Sequence, residues 1–266
     1  MKRVLALILG LMLLMSHVVY ANDHCNIPKI DTSKINKGVV SILYNNKSHK
    51  KEKLIIEKGN SRYVYTLQKS KEIEDFPLQM GRGPYKVVVL ENVKDNKYKP
   101  IISDTFQVSL TDENRVFLQS VQGIEWNESM DAIIMAKKMT DGLKNDEEKA
   151  KAIYEYIVSN IKYDSTKKNK IASDYLPQID EIYQEGGGIC YDFSSIIAGM
   201  LRSVGIPAKL IKGYSKNATS YHSWNEVYIN DNWIVIDACY DSQMKARNKN
   251  YSMIKEPVLY EKKYEY

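Results

Sequence analysis

The chain has 266 residues, 44% hydrophobic and 27% charged, which excludes a wholly disordered protein and leaves room for one large domain or two modest ones. Its formal charge of +5 falls to +3 without residues 1–21, where Lys2 and Arg3 are the only formal charges, and so mild an excess argues against nucleic acid as a partner. The lysines of the short runs Lys47, Lys50, Lys51, Lys53 and Lys167, Lys168, Lys170 read as solvated loops, with weak attraction to anionic cell-wall or membrane surfaces as their further use.

The first element in chain order is an export signal over residues 1–21. Lys2 and Arg3 precede an uncharged apolar run from Val4 to Met15, and Val19-Tyr20-Ala21 has the small-residue pattern of a cleavage site after Ala21. An uncleaved anchor is the alternative, but the run is short of the ~20 apolar residues of a membrane span. Cys25 follows Asn22, Asp23 and His24, which is not a lipid-attachment box. The expected location is therefore secreted or cell-wall associated, with membrane contact only through an uncleaved signal.

Residues 22–125 are expected to form a β-rich domain. Gly38–Leu43, Arg62–Leu67, Tyr85–Leu90 and Thr105–Leu110 are rich in β-branched and aromatic residues, and turn-prone clusters such as Gly81-Arg82-Gly83-Pro84 and Asp95-Asn96 separate them. Short strands between turns predict a small antiparallel sandwich from about Asn26 to Leu110.

From about Asn127 the period becomes helical, and residues 126–266 are expected to form the second domain. Ile133, Ile134, Ala136 and Met139 lie in a helix ending near Asp141-Gly142. Asn145 reads as the N-cap of the next, with Asp146, Glu147 and Glu148 in its first turn and Ala150, Ile153, Ile157 and Ile161 on its apolar face. Gly186-Gly187-Gly188 reads as a flexible loop opening a third helix at Cys190, which Gly205 and Pro207 close. Strands Ala208–Tyr214, His222–Ile229 and Trp233–Asp237 follow, the last two as a hairpin over Asn230-Asp231-Asn232.

Chemistry concentrates at Cys190. Unpaired N–H groups and the dipole at a helix start favour a thiolate, the nucleophilic form of cysteine, whereas a cysteine inside an apolar helix is by default a small hydrophobe. A thiolate needs a base. His24 lies in the N-terminal tail and His49 in a polar run, so elimination selects His222, at the start of a strand. Asp237 closes the neighbouring strand and can orient the imidazole; Asp241, expected in a loop, is the fallback. Cys190 has no nearby second cysteine, which excludes a dithiol oxidoreductase. The odd cysteine count invites one disulfide, Cys25 with Cys239, leaving Cys190 free; three free thiols are the alternative.

Three motifs in order resemble the transglutaminase-like superfamily: Gly188-Ile189-Cys190-Tyr191-Asp192-Phe193, Tyr221-His222-Ser223-Trp224-Asn225-Glu226-Val227 and Trp233-Ile234-Val235-Ile236-Asp237. Leu201 to Lys209 resembles the family's linker between nucleophile helix and first strand, and the similarity covers about Ser129 to Asp241. The resemblance implies an α+β fold, a β-sandwich-like domain followed by a papain-like core of helices packed on an antiparallel sheet. It implies acyl transfer at protein or peptide amides, with a thioester on Cys190 resolved by an amine or by water, and a catalytic Cys190, His222 and Asp237. It also matches Tyr175 to an oxyanion donor beside the cysteine's own N–H, with a packing tyrosine as the alternative. Where the family often has Pro-Thr and an aromatic residue after the aspartate, this chain has Ala238-Cys239-Tyr240, which alters the loop against the substrate. No calcium-loop spacing is present, so no metal or other cofactor is expected. The competing reading is a catalytically silent surface binding module on the same fold.

Overall fold

The structure, a computed structural model, describes residues 28–43, 50–68 and 71–266. The export signal, His24, Cys25 and His49 lie outside the described residues. The chain is mixed α+β, as expected, with strands first and then helices packed on an antiparallel sheet.

Strands β1 (Lys29–Asp31), β2 (Val39–Leu43) and β5 (Ile73–Pro77) form one antiparallel sheet in the order β1-β2-β5. The second has the order β4-β3-β6-β7, from β3 (Glu52–Lys58), β4 (Ser61–Thr66), β6 (Gly83–Lys94) and β7 (Lys97–Val108). Val40 and Ile42 of the first sheet meet Leu54, Ile56, Val87 and Val89 of the second in one core. Period-2 alternation explains the second sheet: in β6, Tyr85, Val87 and Val89 are buried while Lys86 between them is exposed. β3 corrects the solvated-loop reading of Lys53. That residue sits half-buried in the strand, its Nζ 4.6 Å from the centroid of the Tyr98 ring.

In the second half, α1 (Asp131–Thr140), α2 (Asp146–Asn160), α3 (Ser165–Lys168) and α4 (Ile179–Glu185) precede the central α5 (Cys190–Ser203). Asn145 caps α2 as expected, accepting the Glu148 N–H at 2.9 Å. Every residue of α5 from Asp192 to Arg202 is buried, the pattern of a helix enclosed on all sides. At about 1.5–3 kcal/mol for each large apolar side chain buried, this helix is a rigid mount for whatever stands at its first turn.

The sheet behind α5 has the order β13-β12-β11-β10-β14, from β10 (Ala208–Ser215), β11 (His222–Ile229), β12 (Asn232–Ile236), β13 (Ile254–Lys255) and β14 (Tyr260–Glu265). The expected hairpin joins β11 to β12, and Asn230 and Asp231 take left-handed φ of 51° and 60° in its turn. Helix α6 (Ala238–Ala246) follows directly, so Asp241 is helical rather than in a loop. Arg202, at the end of α5, ties the two halves together. It donates to the carbonyls of Ala208 (2.9 Å), Gln119 (2.6 Å) and Tyr266 (2.9 Å), and burial pushes its guanidinium down to about 9.

At Gly213, in β10, an added Cβ would run into the Glu261 carbonyl oxygen and stand 2.9 Å from Trp224. Gly213→Ala is therefore expected to pry β14 from β10 and lower stability by about 1–3 kcal/mol, read as a reduced urea midpoint. An unchanged midpoint would show that β14 is not held against β10.

Candidate active site

Helix α4 ends at Gly186, in the left-handed region with φ 63°. Gly187 and Gly188 then form a short strand, β9, parallel to β8 (Lys162–Tyr163), so the glycine run is an ordered strand rather than the flexible loop expected. A Cβ at Gly188 would stand 2.6 Å from that of Asp192. Asp192, fully buried, accepts the Ile189 N–H at 2.9 Å, the Tyr175 hydroxyl at 2.6 Å and the Lys167 ammonium at 3.0 Å. Lys167 is thus a structural cation here and not a solvated loop residue. These contacts hold the start of α5, where Cys190 is the first helical residue and its N–H has no acceptor within the helix.

His222 opens β11 and lies over the Trp224 ring, centroids 6.3 Å apart and planes inclined by 26°. Its Nε2 is 2.8 Å from Asp237 Oδ2, which leaves Nδ1 as the ring nitrogen not engaged by that carboxylate, and His222 lines the same cleft as Cys190. Burial opposes a charge on the ring. The hydrogen bonds to Asp237 and Cys190, with their negative charge, outweigh it and push the imidazolium up to about 10.

Asp237 is itself fixed twice. Oδ1 accepts the Tyr240 N–H at 3.0 Å, capping α6, and Oδ2 also accepts the Tyr260 hydroxyl at 3.1 Å. Asn217 donates to that hydroxyl at 3.2 Å.

The raised imidazolium has a consequence for stability. The folded ring holds its proton above the ordinary value of 6.5, so the native state binds more protons than the unfolded chain between pH 6.5 and about 10. Its contribution is complete below 6.5 and is lost as the pH rises through about 10. The stability advantage of wild type over His222→Gln is expected to shrink across that window, in urea unfolding at several pH values. A gap that widens with pH would contradict this.

The structure brings Cys190, His222 and Asp237 together and keeps other candidates apart. The Tyr175 hydroxyl is committed to Asp192, and Tyr175 lines a neighbouring hollow rather than the cleft over Cys190, so the geometry does not support it as an oxyanion donor. Asp241 accepts from Tyr154 and Lys255, each at 2.6 Å, away from His222. Cys190 and Cys239 are free thiols; burial, then the charges of Asp237 and Cys190, push the Cys239 thiol well above its ordinary range. Its expected disulfide partner, Cys25, is outside the described residues. Tyr260 escaped the sequence reading because the pairing of β14 with β10 is what brings it to Asp237, 23 positions away.

The cleft over Cys190 has a volume of about 530 Å³ and is open to solvent. Tyr163, Tyr221 and Tyr240 line it together with Cys190 and His222.

Comparison with known proteins places this geometry. Residues 134–238 match the family model described as the transglutaminase-like superfamily. The uncharacterized protein YebA of Bacillus subtilis (strain 168) is 31% identical over 121 residues, which cover 39% of this chain and only 16% of that protein. A candidate cysteine protease of Cytophaga hutchinsonii superposes with TM-score 0.44 at 19% identity, covering 76% of this chain and 72% of its own. Red sea bream transglutaminase superposes with TM-score 0.31 at 14% identity, covering 75% of this chain and 47% of its own. The matched span opens within α1 and closes one residue after Asp237, so the part of this chain that is similar to the transglutaminase-like superfamily holds Cys190, His222 and Asp237.

Proposed function

We propose that this chain is a cysteine-dependent acyl transferase or amide hydrolase acting on protein or peptide amides outside the cytosol, with Cys190 as nucleophile, His222 as acid and base, and Asp237 as the group that orients the imidazole. The observation that carries this reading is that Cys190, at the start of α5, lines one open cleft with His222, whose imidazole is held by Asp237 at 2.8 Å. In the first step the Cys190 sulfur bonds to the amide carbonyl carbon, with its proton held on His222. The carbonyl oxygen takes up negative charge, and the Cys190 N–H at the start of α5 is placed to donate to it. The C–N bond then breaks as His222 returns the proton to the departing nitrogen. Water or an amine attacks the thioester, gives a proton to His222, and releases Cys190 as the acid or the new amide forms. The export signal expected in residues 1–21 supports an activity at the cell surface or beyond.

Incubation of the pure protein with a glutamine-bearing peptide and a tagged primary amine tests the reading. Tagged peptide assigns a transferase, and deamidated or cleaved peptide a hydrolase. No product, with no mass added to Cys190 over a panel of peptide amides, would leave a binding module instead.

A further inference from the structure

The cleft over Cys190 is cationic. Lys168, Lys212 and Arg247 line it, and no aspartate or glutamate is among its lining residues. Lys168 and Arg247 are exposed at its rim, and Lys168 is steadied by a 3.1 Å contact to Ser220 Oγ. Lys212 is different. It rises from β10 beside Gly213, the residue paired with His222, at the point where the β10–β14 ladder slips register. Bulges of this kind re-aim side chains next to active sites. Its Nζ stands 3.6 Å from the ring centroid of Tyr191, the residue after Cys190, and 5.2 Å from that of Tyr266.

Aromatic faces attract this ammonium but do not neutralise it. The nearby carboxylates are committed elsewhere, Asp192 to Ile189, Tyr175 and Lys167, and Asp237 to His222, Tyr240 and Tyr260. Burial pushes Lys212 down to about 8, and the charge of Cys190 acts in the opposite sense. Among the described residues no carboxylate pairs with Lys212, and a half-buried cation matched only by the Cys190 charge can take a further anion from an incoming ligand. Lys212 also lines the adjoining hollow formed with Tyr65, Tyr175 and Leu176, so it stands where a peptide seated on Cys190 would continue. That position suits a charge beside the scissile amide rather than the amide oxygen itself.

We propose that Lys212 is a specificity residue that binds a carboxylate carried by the acyl donor next to the amide attacked by Cys190, so that the substrates are acidic peptides. This rests on Cys190 being the nucleophile of the proposed function.

The test is the rate of Cys190 alkylation by iodoacetate and by iodoacetamide, with the adduct located by mass. Both form the same sulfur–carbon bond and release iodide, and they differ in whether a carboxylate accompanies the reacting carbon. His222 affects either protein alike. The iodoacetate-to-iodoacetamide rate ratio is expected to fall by on the order of 10-fold in Lys212→Met, and Lys212→Arg, which keeps the charge, is expected to retain it. A glutamate-flanked peptide amide should protect Cys190 at lower concentration than its alanine-flanked counterpart, and lose that advantage in Lys212→Met. An unchanged ratio in folded Lys212→Met, or equal slowing of both reagents, would overturn the inference while leaving the nucleophile in place. Failure of either reagent to reach Cys190 in the wild type would remove the nucleophile reading, and this inference with it.

Discussion

His222→Ala is expected to lower the rate of Cys190 acylation by on the order of 10²- to 10⁴-fold. The ring shares the cleft with the sulfur, and a leaving amine needs a proton that Cys190 cannot supply from its thioester. Among the described residues no other histidine lines the cleft. The measurement is single-turnover acylation with a peptide amide, followed by thioester mass. A loss below about 5-fold would mean that the proton travels by another route.

Asp237→Ala is expected to cost both rate and stability. Removing the acceptor of Nε2 frees the imidazole to turn and to adopt the wrong tautomer, a loss on the order of 10²- to 10⁴-fold in acylation. Removing Oδ1 uncaps α6 at the Tyr240 N–H, a loss of about 1 kcal/mol. Asp237→Asn separates the two. Its single carbonyl oxygen cannot face Tyr240 N–H on one side and His222 and Tyr260 on the other, so one set of donors meets an amide NH₂. Rate and melting temperature measured on both variants should therefore show Asn falling between wild type and Ala in at least one of them. If Ala changes neither, Asp237 has no part in the site.

Much of the site was legible because its parts are local. A glycine run before a cysteine at a helix start, a histidine left by elimination, and a tight hairpin that carries Asp237 beside it all follow from short-range rules. The strands β2, β4, β6 and β7 were readable from their β-branched and aromatic runs. β3 was not, because Glu52, Lys53, Glu57 and Lys58 bracket its apolar Leu54-Ile55-Ile56 and dilute the signal. Helix α6 is short and weakly amphipathic, and its start depends on Asp237 acting as a cap as well as a partner for His222.

The remaining gaps are non-local. Tyr260 reaches Asp237 only because β14 folds back against β10, a pairing that turn chemistry does not encode. Tyr175 carries the right residue type for an oxyanion donor, yet Asp192, seventeen positions away, claims its proton. Lys212 looks like any strand lysine until the cleft shows it above the Tyr191 ring with no carboxylate partner among the described residues.

The central claim is that the Cys190 sulfur carries the acyl group. Rapid acid quench of the wild-type protein turning over a peptide amide, followed by peptide mass mapping, reads this directly. The expected result is an acyl mass on the peptide containing Cys190, lost in Cys190→Ala together with product. An acyl mass on Cys239 instead, or product formed by Cys190→Ala at the wild-type rate, would contradict the account.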